Sequence, residues 1–229
     1  MKYVLTFGVQ ALLLGGWALH VKGVGLLLLW PALSLLLVAL AYAGAGARIF
    51  GKQPDGTLRL PALVALLPYL LLTWGVWHLA RVFSREPPYA EVVPGLFIGR
   101  RLLPGELPPH ISTVLDLTAE FIEPRDVREA CRYRALPILD ASTLPLASVV
   151  PVLRELAGLA QPLYVHCAQG HGRTGMIAAA LLVARRQAPD VPTALALVQR
   201  ARPGVRLSRA QTEALKALAV ALHAGATQP

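Results

Sequence analysis

Three long apolar stretches crowd the first third of the chain: Tyr3 to Leu19, Val24 to Ala47 and Leu60 to Ala80. Each is near or above the roughly 17–25 residues that a helix needs to cross a hydrocarbon core. Up to Ala80 there are five basic residues (Lys2, Lys22, Arg48, Lys52, Arg59) and one acidic residue, Asp55, and a soluble fold does not read like this. In lipid, backbone N–H and C=O groups have no water to bond, so each span is expected to be a helix, and Pro31, Pro61 and Pro68 are compatible with that. The expectation is an N-terminal bundle of three transmembrane helices over residues 1–80. Lys2 ahead of an apolar run also fits a signal peptide. Against that, no small-residue cleavage site precedes the charged turn His20-Val21-Lys22-Gly23, and two further spans follow. The turn is short, so the first two helices are expected to form a tight hairpin. Trp17, Trp30, Trp74 and Trp77 are candidates for the membrane interfaces.

Over all 229 residues, 55% are hydrophobic and 15% charged, against about 25% charged in an ordinary soluble domain, which excludes a disordered chain. Two cysteines, Cys131 and Cys167, cannot make a disulfide framework, which points to a reducing compartment or a reactive thiol. The net charge of +9 invites a nucleic-acid reading. With no interleaved aromatic platform and no nucleic-acid motif, a membrane surface accounts for it better. Flanking charge leaves the orientation open: Lys2, Arg48, Lys52 and Arg59 share one side, and Lys22, Arg81, Arg85, Arg100 and Arg101 the other.

Residues 81–89 read as a linker, centred on Ser84-Arg85-Glu86-Pro87-Pro88, and residues 90–223 as one domain with its own core. Gly95 to Ile98, Thr113 to Leu117, Ala135 to Leu139 and Leu163 to His166 have the character of strands. Val149 to Ala160, Thr174 to Gln187, Pro192 to Ala201 and Ser208 to His223 carry apolar residues at helical spacing, with Ser208 placed to cap the last. The pattern predicts an α/β domain with a buried central sheet.

The most informative stretch runs from Pro162 to Gly175, where a strand ends at Cys167, a glycine-bearing loop follows, and a long apolar helix begins near Arg173. Loop amides and the unpaired N–H groups of a helix's first turn form a concavity suited to phosphate. A cysteine there, beside a guanidinium, is expected to be largely thiolate, the nucleophilic form. Arg173 adds a planar fork able to bond two phosphoryl oxygens.

This Cys-x5-Arg-Thr loop, preceded by His166, resembles the signature of the cysteine-dependent phosphatases. Glu91 to Gly99 looks like the opening strand of dual-specificity phosphatases, and Thr113 to Thr118 resembles their next core strand. Leu136 to Asp140 is similar to the strand and loop that deliver the general acid, and Arg202-Pro203-Gly204 with Gln211 to the closing segment. The resemblance implies a cysteine-phosphatase fold, a central mixed sheet flanked by helices. It also implies hydrolysis of phosphate monoesters through a cysteinyl-phosphate, with no metal or cofactor.

By the same resemblance Cys167 is the nucleophile. Arg173 and the loop of Ala168, Gln169, Gly170, His171 and Gly172 bind the phosphoryl oxygens. Asp140 is the general acid and then the base, Thr174 eases departure of the thiolate, and His166 holds the loop. Asp126 is the substitute acid. His171 and Ala168 occupy rim positions where some lipid-directed relatives carry lysine, which argues against a polyphosphorylated inositol headgroup.

The substrate reading is a lipid phosphate, phosphatidylglycerophosphate- or phosphoinositide-like. Phosphotyrosine or phosphoserine on a membrane-associated protein is the competing reading, and a catalytically silent phosphate-binding module is the third. Rhodaneses and arsenate reductases share cysteine-headed anion loops. The expected setting is an inner or plasma membrane with the catalytic domain in the cytoplasm, where reductants protect a thiolate. Cys131 is either a core cysteine or a disulfide partner for Cys167 under oxidation. Arg125, Arg128 and Arg132 are read on one helical face, either solvated or meeting anionic lipid headgroups.

Overall fold

The computed structural model describes residues 1–160 and 162–224. The chain divides into two compact units, one of Met1–Ser84 with Ala119–Ile122, the other of Arg85–Thr118 with Glu123–Pro229.

In the first unit, α1 (Lys2–Val21) ends at a tight turn where Lys22 and Gly23 both have positive φ. A 3-10 segment, Gly23–Leu28, leads into α2 (Leu29–Leu40), which closes in a wide turn, Ala41–Ala45, broken at Gly44. α3 (Leu60–Phe83) carries Pro61 in its first turn, where no N–H is needed, and Pro68 in its interior. Three helical stretches, Lys2–Val21, Gly23–Ala45 and Leu60–Phe83, are long and apolar enough to cross a membrane. α2 packs against both α1 and α3. Ser34, buried in α2, accepts a hydrogen bond from the backbone N–H of Tyr69, and Trp30 donates to the Val64 carbonyl. Leu12, Leu13, Leu72 and Phe83 are exposed on these helices.

The second unit is built on a five-stranded sheet of order β1-β2-β5-β3-β4, comprising β1 (Tyr89–Val93), β2 (Leu96–Arg100), β3 (Thr113–Thr118), β4 (Arg132–Ile138) and β5 (Leu163–Cys167). Only β1 and β2 are antiparallel, so the sheet is mixed, as expected. The stretch taken as one opening strand is instead a hairpin. Pro94 presets the turn, Gly95 takes φ 82°, and its N–H donates to Glu91 Oε1 at 3.0 Å. The central strands β2, β3 and β5 are buried throughout, hence their largely apolar character, with Arg100, Asp116 and His166 among the buried polar exceptions.

Helices α4 (Arg125–Ala130), α5 (Leu146–Ala157), α6 (Gly172–Ala184), α7 (Val191–Ala201) and α8 (Arg209–Ala224) complete the unit. α6 packs against β2, β5, α5, α7 and α8, and Arg173 through Val183 are all buried. A helix enclosed on all sides must be apolar all round, which accounts for its run of alanine and leucine. Ser208 caps α8 as expected and does so reciprocally: the Gln211 N–H reaches Ser208 Oγ at 3.3 Å, and the Ser208 N–H reaches Gln211 Oε1 at 3.0 Å. Asp190 caps α7 by accepting from the Thr193 N–H at 2.8 Å, which holds its carboxyl below the usual range.

Two expectations fail on topology. Arg132 does not share a helix with Arg125 and Arg128, because α4 stops at Ala130 and Arg132 opens β4. A Cys131–Cys167 disulfide is excluded too. Arg132 pairs with Thr113 and His166 with Asp116, so the two cysteines lie at opposite ends of β3 and on different sides of it. At about 3.3 Å per residue the separation far exceeds the ~7 Å that a disulfide tolerates.

Cys131 is half-buried, its Sγ 3.0 Å from the Val127 carbonyl, and burial, with the nearby Glu123 charge, pushes its thiol up to about 11 from 9.0. At pH 8 it therefore carries about a hundredfold less thiolate than an ordinary cysteine. The thiol form stabilises the fold fully below pH 9, and that contribution is lost as pH rises through 11. Iodoacetamide labelling followed by mass spectrometry is expected to leave Cys131 largely unmodified at pH 8 and to modify it increasingly above pH 10.

Candidate active site

The site is assembled at the C-terminal ends of β3, β4 and β5. β5 ends at Cys167, which is 4% exposed, and residues 168–171 connect it to the first turn of α6. The loop's carbonyls are held from outside: the Arg101 N–H donates to the Ala168 carbonyl at 3.2 Å, and Arg202 Nη2 to the Gln169 carbonyl at 3.0 Å. The His171 carbonyl accepts from the Gly175 N–H at 2.7 Å. With these carbonyls bonded by groups outside the loop, the chain between Cys167 and α6 has the character of an anion nest, in which successive backbone amides line a concavity.

Gly170 makes that path possible. Its φ is +75°, and a side chain there would collide with the backbone of Gly99 on β2. Replacing Gly170 with alanine combines a left-handed non-glycine residue with a backbone clash, and is expected to reduce unfolding free energy by about 2–4 kcal/mol. Denaturant melts of the variant and the parent check this.

Arg173, 2% exposed, bridges strand ends: Nη1 donates to the Ile138 carbonyl at 2.9 Å and the Leu117 carbonyl at 3.5 Å. Its Nη2 lies 3.5 Å from Oδ1 of Asp140, whose side chain is 70% exposed. Asp140 directly follows Leu139 at the end of β4, before a tight turn in which Ala141 has φ 52° and the Ser142 N–H donates to the Leu139 carbonyl. Asp126, the substitute acid, lies in α4 ahead of β4, at the far end of the sheet, where its Oδ2 accepts from the Gly105 N–H. Thr174 is fully buried, and its Oγ1 has no hydrogen-bond partner among the described residues.

His166 is fully buried and stacked on Tyr164, with ring centroids 5.5 Å apart. Its Nδ1 lies 3.9 Å from Asp116 Oδ1 and its Nε2 3.7 Å from Glu123 Oε1. The ligand atoms of these three fall within 4.8 Å of one another, close enough to surround a cation. The carboxylates have other partners, however. Asp116 accepts from the Thr118 N–H and hydroxyl at 2.7 Å each and from the Tyr133 hydroxyl at 2.6 Å, and Glu123 lies 3.3 Å from Arg101 Nε. The arrangement is a charge lattice that fixes the imidazole beside the cysteine. Burial and the Asp116 charge push the Tyr133 hydroxyl far up, so it remains a donor.

At the rim, Glu86 Oε2 sits 2.7 Å from His171 Nε2 and 2.9 Å from Arg202 Nη2. Sequence reasoning took Glu86 as linker and assigned no role to Asp116, Glu123, Tyr133 or Arg101. Glu86 lies 85 residues from His171 and Tyr133 lies 17 from Asp116, so no local pattern marks them.

Parallel strands that bring a cysteine-headed loop and a buried arginine to one end of a mixed sheet, with a carboxylate from the turn after β4, make up the dual-specificity phosphatase architecture. Solved structures bear this out. A mouse dual specificity phosphatase complexed with zinc tungstate shares 23% identity at a TM-score of 0.54, over 62% of this chain and 94% of that one. PTPMT1 in complex with PI(5)P shares 18% identity at a TM-score of 0.53, over 62% and 100%. Tk-PTP in its active form shares 25% at a TM-score of 0.50, over 58% and 97%. Residues 107–219 match the family model described as Swiss Army Knife protein, DSP-PTPase phosphatase domain.

Proposed function

We propose that this chain is a membrane-anchored phosphatase that hydrolyses phosphate monoesters, with lipid phosphates as its substrates. The observation that carries the reading is the Cys167–Thr174 loop, its carbonyls bonded from outside and its Arg173 fork fixed 3.5 Å from Asp140. In the first step Cys167 Sγ attacks phosphorus, the ester P–O bond breaks, and Asp140 gives its proton to the departing alkoxide. Arg173 and the loop amides bear the charge on the equatorial oxygens. In the second step Asp140 takes a proton from water as it attacks the phosphocysteine, and the thiolate departs. The buried Thr174 hydroxyl supplies a donor for that thiolate, which explains why an unpartnered polar group is retained there.

Three helices of membrane-crossing length support the lipid reading, because a tether raises effective concentration at the bilayer without new contacts. So does the similarity to PTPMT1, which was solved with PI(5)P. We place the catalytic domain on the cytoplasmic side of an inner or plasma membrane, where a thiolate stays reduced. Residues 90–223 serve as the catalytic domain, and of the linker expected at 81–89, residues 84–88 lie between α3 and β1, with Glu86 and Pro87 bonded to the site.

Purified full-length protein, assayed side by side on phosphatidylglycerophosphate, phosphoinositides and phosphotyrosine or phosphoserine peptides, tests the reading. Faster turnover of lipids supports it, and faster turnover of peptides favours a phosphoprotein phosphatase. Orthophosphate binding without turnover of any monoester leaves a silent phosphate-binding module. Asp140→Asn is expected to slow alkyl phosphates by about 10²–10³-fold and an aryl phosphate much less, since a phenolate leaves without protonation.

A further inference from the structure

We infer that Glu86 is a specificity-determining residue that occupies His171 and Arg202 at the rim of the loop and so disfavours substrates with a second phosphate monoester beside the first. The inference rests on the phosphatase reading of that loop. Within residues 168–172, His171 is the one side chain able to carry positive charge. Arg202, 3% exposed, stands behind the loop with Nη2 on the Gln169 carbonyl and Nη1 on the Pro87 carbonyl at 2.9 Å. Without an acceptor between them, His171 Nε2 and Arg202 Nη2 would offer a second phosphate two donors next to the first site, one of them a guanidinium, which binds phosphate oxygens strongly.

Glu86 removes that option. One carboxylate oxygen bridges both side chains, at 2.7 Å from His171 Nε2 and 2.9 Å from Arg202 Nη2. The neighbouring chain makes room for it: a Cβ at Gly204 would collide with Glu86 Oε1 and lie 2.6 Å from His171 Nε2. The inner phosphate keeps its amides and Arg173, while a second phosphate monoester on the same substrate meets a carboxylate and two donors already engaged. The substrate class is therefore a lipid with one phosphate monoester and no second monoester next to it.

The test compares full-length wild-type, Glu86→Gln and Glu86→Asp proteins, measuring calorimetric binding of orthophosphate and pyrophosphate, and turnover of lipids bearing one or two phosphates. Gln keeps the size of the side chain and removes its charge. It is expected to raise pyrophosphate binding relative to orthophosphate by roughly 5–10-fold, the scale of deleting one partly screened unit charge. Asp is expected to keep the wild-type ratio. A loss of structure would weaken both ligands together, so an unchanged ratio in Glu86→Gln overturns the proposal with or without turnover. A shifted binding ratio in a protein that turns over no monoester upholds the rim assignment and faults only the phosphatase reading.

Discussion

Cys167→Ser is expected to lower turnover of every phosphate monoester by at least about 10⁴-fold while leaving the fold and orthophosphate binding in place. The sulfur ends β5 at 4% exposure, so a hydroxyl of similar size is accommodated with at most about 1 kcal/mol of lost stability. The hydroxyl lacks the ionised form that attacks phosphorus. The loop itself does not depend on the sulfur, because its path is set by Arg101, Arg202 and Gly170. Single-turnover kinetics on a monoester, alongside thermal melts and phosphate calorimetry, separate the chemistry from the scaffold. Full turnover in the variant would remove the phosphocysteine mechanism.

Arg173→Lys is expected to cost about 10³-fold in kcat/KM and, unlike the serine variant, to destabilise the domain by about 1–3 kcal/mol. Both effects come from the same fork. One end of the guanidinium is tied to the Ile138 and Leu117 carbonyls, the other reaches toward Asp140 and the loop, and the whole side chain is buried. An ammonium is a single point of charge. It can keep the carbonyls or follow the phosphoryl oxygens, but it cannot do both. Chemical denaturation and steady-state kinetics on one preparation check the pair of effects, and a variant impaired in only one would contradict this dual role.

Local chemistry was legible wherever it fits in a short window. The three candidate spans were readable because length and apolarity are local properties, and β3, β5 and α6 because buried elements are largely apolar. The cysteine-to-threonine loop occupies consecutive residues, so its spacing could be read directly. The β1–β2 hairpin was misread as one strand although Pro94-Gly95 marks its turn, since apolar residues on both sides gave a continuous run. β4 starts three residues earlier than expected because Arg132 and Arg134 lie on its exposed face and hid its alternation.

By itself, then, the sequence determined which segments are apolar enough to cross a membrane, which residues are strands and buried helices, and where cysteine, arginine and threonine sit in one loop. Only the tertiary structure decided that Glu86 bridges His171 and Arg202, that Asp116 and Glu123 enclose His166, that Asp140 rather than Asp126 comes to Arg173, and that Cys131 is out of reach of Cys167. The reason is physical. Periodicity, turns and anion loops are set by neighbours a few residues apart, whereas these charge pairings join groups that only the strand order β1-β2-β5-β3-β4 brings together.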